Sequence, residues 1–124
     1  MSQRRRILVV EDEPSICQVC LRALTAEGYE VEIAVNGAVA GKMIGEAEYD
    51  LCIIDVRTPI MNGKELYHYI EDKYPDLKNK VIFTTGDVLD EQLNSMLKVT
   101  GRPYLPKPFT LDELSAIVRK ALRG

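Results

Sequence analysis

The sequence predicts an α/β fold, a doubly wound parallel sheet with helices on both of its faces. Two observations carry that prediction. Short β-branched runs alternate with longer stretches of helical spacing, and this alternation repeats five times in 124 residues. Two of the runs, Ile7 to Val10 and Leu51 to Ile54, are apolar throughout and show no alternation with polar residues, as expected of strands buried on both faces.

Element by element, Ile7-Leu8-Val9-Val10 is the first such run. Pro14 to Ala26 follows at helical spacing, with Gly28 as the expected stop. Glu30 to Ala34 reads as a second strand and Val39 to Glu46 as a second helix. Leu51-Cys52-Ile53-Ile54 is a third apolar run that ends abruptly at Asp55. Lys64 to Tyr74 places Leu66, Tyr67, Ile70 and Tyr74 on one helical face, and Pro75 closes it. Val81-Ile82-Phe83, then Asp90 to Val99, then Tyr104-Leu105 supply a strand, a helix and a short last strand. Leu111 to Leu122 is the final helix, with Thr110 as its cap and Glu113 three residues on. No repeat, linker or low-complexity tract interrupts the series, so residues 1–124 are expected to form a single domain without an output domain.

Composition narrows the class of function. Sixteen basic and nineteen acidic residues leave a net charge of -3, a poor match to broad nucleic-acid binding, which needs a basic face. Arg4-Arg5-Arg6 is short and reads as a solvated run. The apolar runs fall far short of the roughly 20 residues a bilayer span requires. No charged-then-apolar leader opens the chain, so it is expected in the cytoplasm without direct nucleic-acid or membrane partners. Three cysteines make a poor disulfide framework. Cys17 and Cys20 form a C-x-x-C, but they sit within a helical stripe of Ile16, Val19, Cys20, Ala23 and Leu24. His68, the single histidine, cannot complete a tetrahedral metal site with them, so the cysteines read as packing residues. His68 itself reads as part of a solvated helix face.

In sheets of this kind the ligand site lies beyond the carboxyl ends of the strands. Glu11, Asp12 and Glu13 follow the first strand, Asp55 the third, Thr84-Thr85-Gly86 the fourth, and Lys107-Pro108 the fifth. If the first and third strands are neighbours, Glu11, Asp12 and Asp55 converge. Clustered carboxylates raise one another's pKa unless a cation joins them, and hard oxygen ligands suit Mg²⁺. Lys107 adds a point charge suited to phosphate, and Thr85 a hydroxyl donor. Asp55 then reads as the nucleophile of a phosphoryl transfer, which needs positioning and charge neutralisation rather than a general base.

Those residues, Ile7-Leu8-Val9-Val10-Glu11-Asp12-Glu13, Asp55-x-x-x-Pro59-x-Met61-x-Gly63, Thr85-Gly86 and Lys107-Pro108-Phe109, resemble the receiver domain of two-component response regulators over nearly the whole chain. The resemblance implies the flavodoxin-like (βα)5 form with strand order 2-1-3-4-5 and helices on both faces. It implies Asp55 as phosphoacceptor, Asp12 as a direct Mg²⁺ ligand, Glu11 acting through water, and Arg57 binding through its backbone carbonyl. Thr85 and Lys107 match the switch hydroxyl and the phosphate-binding lysine, Tyr104 matches the aromatic switch position, and a cis Lys107-Pro108 bond is implied. The implied phosphodonor is a histidine kinase or histidine phosphotransfer protein, docking around Ile16 to Leu24. The implied output is changed affinity for a downstream protein at the face of helix four, strand five and helix five. Any enzymatic activity would be limited to the domain's own phosphorylation and slow dephosphorylation.

Several positions depart from the pattern. Thr58 stands where Met is common, and Thr100-Gly101-Arg102-Pro103 replaces the usual Gly-Ala run. The stretch to Phe109 is similar to receivers of hybrid histidine kinases. Asp87, two residues after Thr85, occupies a position expected to tune dephosphorylation. Three rival readings are weaker. An aspartate-nucleophile phosphohydrolase would carry a second Asp where Arg57 stands. A flavin or nucleotide carrier would place Gly, Ser or Thr where Glu11-Asp12-Glu13 repels phosphate. A degenerate receiver acting only as a binding module would not need the intact Asp12, Asp55 and Lys107 set.

Overall fold

A computed structural model describes residues 4–86 and 91–123, except for the side chain of residue 92. The elements run β1 (Arg6–Val10), α1 (Pro14–Ala26), β2 (Glu30–Ala34), α2 (Gly37–Glu46) and β3 (Leu51–Asp55). They continue through α3 (Gly63–Lys73), β4 (Val81–Thr85), α4 (Glu91–Thr100), β5 (Tyr104–Pro106) and α5 (Leu111–Arg123). All neighbouring strands pair in parallel, in the order β2-β1-β3-β4-β5. The expected start of the fourth helix at Asp90, and Asp87, lie outside the described residues.

Two cores follow from the alternation of side chains along the strands. Leu8, Val10, Cys52, Ile54, Val81 and Phe83 pack on one face against α2, α3 and Leu93 of α4. Ile7, Val9, Leu51, Ile53, Ile82 and Leu105 pack on the other against α1 and α5. With both faces covered, β3 and β4 are buried along their entire lengths, which is why their sequences show no polar alternation. Cys20 and Cys52 belong to these cores, and burial pushes both thiols up to about 12. Cys17 is only half-buried, and its Sγ donates to the Glu11 carbonyl at 3.4 Å.

The helix ends are set by local chemistry. Gly28, at φ +95°, closes α1, and its N–H reaches the Thr25 carbonyl at 3.0 Å. Thr110 and Glu113 form the expected reciprocal cap on α5. Two further caps are less obvious in the sequence. Asn36 accepts from the Val39 N–H at the start of α2, and Asn62 exchanges bonds with Glu65 at the start of α3.

Each of those asparagines is followed by a glycine at a point of close approach. A side chain at Gly37 would collide with the Met61 carbonyl, and one at Gly63 would lie 2.7 Å from the Val56 Cα. The contact lets the first turn of α2 receive the loop after β3. Gly37 and Ala38 donate their N–H groups to the Pro59 and Ile60 carbonyls at 3.3 and 3.0 Å, which satisfies donors a helix start leaves open. Ile60 and Met61 hold φ values of 47° and 64° in that loop, a conformation non-glycine residues adopt reluctantly. The segment after Asp55 is therefore clamped from outside.

Candidate functional site

Strands β1, β3, β4 and β5 end on one edge of the sheet, and the register fixes which residues meet there. Val10 pairs with Ile54, Asp55 with Thr84, and Thr85 with Pro106. One residue beyond each strand therefore lies Glu11 beside β3, and Lys107 beside β4. The Lys107 N–H is bonded to the Thr85 carbonyl at 2.9 Å, and the Lys107-Pro108 bond is cis.

The side chains converge accordingly. Carboxylate oxygens of Glu11, Asp12 and Asp55 lie within 4.8 Å of one another. Glu11 and Asp55 are 2% and 5% exposed, while Asp12 is solvent-exposed. The Lys107 Nζ stands between the two buried carboxylates, 2.8 Å from Glu11 Oε1 and 3.2 Å from Asp55 Oδ2. Backbone donors hold the remaining oxygens, since Glu13 N–H reaches Glu11 Oε2 and Arg57 N–H reaches Asp55 Oδ1, both at 3.1 Å.

These contacts set the local electrostatics. Burial raises the Glu11 carboxyl above its ordinary value, and its bond to Lys107 only partly offsets this. Burial pulls the Lys107 ammonium down, but the bond to Glu11 and the charges of Asp55 and Glu11 outweigh it. Its pKa is raised, so the ammonium stays charged at neutral pH. Three carboxylates against one ammonium leave an excess of negative charge on oxygen donors. That donor set is chemically suited to Mg²⁺, which takes one or two carboxylates and retains water.

Other positions singled out in the sequence lie around this cluster. Thr85 is buried at the end of β4 beside Lys107, and the Lys107 Cδ would lie 3.7 Å from a side chain at Gly86. Tyr104 is half-buried and pairs with Phe83, two residues before the Thr85–Pro106 pair. By strand alternation it shares the α2–α3–α4 face with Thr85. Arg57 is exposed while its backbone faces the site. His68 lies on the exposed face of α3, 3.5 Å from Glu71.

Two features near the site were not evident from the sequence. Thr58 is buried, its N–H bonded to the Asp55 carbonyl, and its hydroxyl finds no partner among the described residues. The Gly37 clamp on the loop after β3 has its sequence signal in the two Asn-Gly pairs, Asn36-Gly37 and Asn62-Gly63.

A parallel five-stranded sheet with an acidic cluster and a lysine at its carboxyl edge defines a class of signalling domain. The chain belongs to the response regulator receiver domain family, which matches it over residues 7–119. It is 36% identical over 118 residues to the response regulator MprA of Mycobacterium ulcerans, covering 95% of this chain and 50% of that protein. The chain thus spans about half the length of the curated relatives it matches. A CheY-like receiver domain from Methanospirillum hungatei superposes with a TM-score of 0.89 at 28% identity, covering 98% of this chain and 95% of that one. The response regulator TrrA of Thermotoga maritima, solved in complex with Mg²⁺-BeF, is 37% identical with a TM-score of 0.82, covering 95% and 99%. The receiver family and strand order implied by the sequence motifs are thereby both established. Among the described residues no helix is long and apolar enough to cross a membrane.

Proposed function

We propose that the chain acts as one receiver domain whose Asp55 accepts a phosphoryl group from a histidine kinase or a histidine phosphotransfer protein. The observation that carries this reading is the buried Asp55 carboxylate at a strand end, bonded to Lys107 at 3.2 Å and clustered with Glu11 and Asp12. A carboxylate in that position costs free energy unless it has work with cations.

In the transfer, an Asp55 oxygen forms a bond to phosphorus as the bond from phosphorus to the donor imidazole nitrogen breaks. The product is an acyl phosphate on Asp55 and a neutral imidazole after protonation. Lys107 would bind a phosphoryl oxygen with its ammonium, and Thr85 would donate its hydroxyl to another. Asp12, Asp55 and the Arg57 carbonyl would hold Mg²⁺, with Glu11 acting through water. When bound, the ion supplies neutralisation of charge on the transferring group. The new dianion beside Thr85 would draw that hydroxyl inward and vacate space for the Tyr104 ring. The α4–β5–α5 face would then change its affinity for a downstream protein.

The test is incubation with Mg²⁺ and a small-molecule phosphodonor, followed by mass spectrometry. One added phosphoryl group is expected in the native protein and none in Asp55→Asn. Labelling that survives in Asp55→Asn, or its absence from the native protein, would overturn the reading. Thr85→Ala is expected to accept phosphate while losing phosphorylation-dependent partner binding.

A further inference from the structure

The opposite edge of the sheet carries a second site of different character. A cleft of about 430 Å³ opens where β1 and β2 begin and α5 ends, and Arg5, Arg119 and Arg123 line it together with Tyr29, Ala116 and Leu122. Its size is within the range of small-ligand pockets. Three solvent-exposed arginines thus line one concavity in a chain whose net charge is -3. Like charges lining one cleft repel one another, and a bound anion relieves that repulsion.

The geometry points to a binding site for a polyphosphate anion, either an inorganic chain or the tail of a nucleotide. Two of the guanidiniums are already held in place. Arg5 Nη1 donates to the Leu122 carbonyl at 3.2 Å, and Arg119 Nε to the Ser115 carbonyl at 3.3 Å. A guanidinium carries five N–H donors, so a single backbone bond orients the group and leaves most of its donors for a ligand. Among the described residues, Glu27 is the carboxylate paired with this set, 3.6 Å from Arg119 Nε. Carbonyls at the end of α5 would oppose an anion, but Arg5 and Lys80 bond to those of Leu122 and Ala121. Basic residues in the last turn of a helix are explained by its dipole alone, which accounts for Lys120 and Arg123. It does not account for Arg5, which comes from before β1, or for Arg119, a turn earlier. Tyr29 adds a ring to the wall, against which a base would sit.

The site is independent of the phosphorylation reading, and its test is kept separate from it. Calorimetric titration of the full chain with pyrophosphate, triphosphate and a nucleoside triphosphate, at fixed ionic strength and without Mg²⁺, is expected to give saturable one-site binding. The double variant Arg119→Gln, Arg123→Gln is expected to weaken it by about tenfold or more, with no change in Asp55 phosphorylation. Asp55→Asn is expected to bind normally. Equal affinity for triphosphate and the nucleotide would assign the site to polyphosphate. Tighter nucleotide binding, lost in Tyr29→Ala, would assign it to nucleotides. Binding that does not saturate, that persists in the double variant, or whose amide shifts centre on Lys107 rather than on Tyr29 and α5 would overturn the proposal.

Discussion

At the carboxyl edge of the sheet, two buried carboxylates share one ammonium whose side chain is 11% exposed. At the amino edge, Arg119 and Glu27 pair across 3.6 Å with 60% and 36% of their side chains in solvent. Both edges bring opposite charges together, yet the consequences differ. In solvent an ion pair is screened and changes stability little. Below the surface each charge has lost its hydration, so every partner matters. The carboxylate edge is therefore a place where removing one group disturbs the rest, while the arginine edge is a place where a group is removed without disturbing the fold.

Lys107→Ala is the sharpest probe of that contrast. It strands Glu11 and Asp55 without their shared cation, and a loss of about 3 kcal/mol is expected in urea unfolding without divalent ions. The loss is expected to shrink in mild acid. Burial already raises the folded Glu11 carboxyl above its unfolded value, and without Lys107, whose bond lowers it, it rises further, so the variant gains more stability than the native chain as Glu11 takes up a proton. An equal loss at both pH values would show that the carboxylates are not the cause.

Gly37→Ala probes the clamp rather than the charge. The new methyl would meet the Met61 carbonyl, so α2 or the loop after β3 must shift. About 2 kcal/mol of destabilisation is expected, accompanied by slower phosphorylation of Asp55 because the same loop holds Arg57. Normal kinetics in a destabilised variant would separate the clamp from the site.

Thr58→Val works in the opposite direction. It keeps the shape and removes a buried hydroxyl with no partner among the described residues, so a gain of about 1 kcal/mol is expected from thermal unfolding. A loss would mean that water or a neighbour satisfies the hydroxyl. Smallest of all is Arg119→Ala, expected to move stability by less than about 0.5 kcal/mol. A change comparable to that of Lys107→Ala would erase the distinction between the two edges.

The cluster of Glu11, Asp12, Asp55 and Lys107 is legible because Glu11 and Asp55 directly follow apolar runs, with Asp12 and Lys107 just beyond strand ends, and a charge at the end of a buried strand is conspicuous. Its convergence depended on β1 and β3 being neighbours, which the motif resemblance implied and periodicity did not. Helix starts were less legible. The second helix, expected from Val39, begins at Gly37, since the Asn36 side chain caps it there. The fourth strand was expected to end at Phe83 and runs to Thr85, because β5 offers Thr85 a partner that no local signal announces. Thr58 stands out in the sequence only as a departure from the family pattern, since nothing local marks its hydroxyl as buried.

The sequence alone determined the sheet, its helices and the residues presented at the strand ends, because hydrophobic period and capping are local signals. The tertiary structure decided how far each charge is removed from water, where the loop after β3 is held, and that arginines from before β1 and from α5 meet in one cleft. Those outcomes depend on residues distant in the chain packing side by side, and desolvation is a property of the assembled surroundings rather than of any segment.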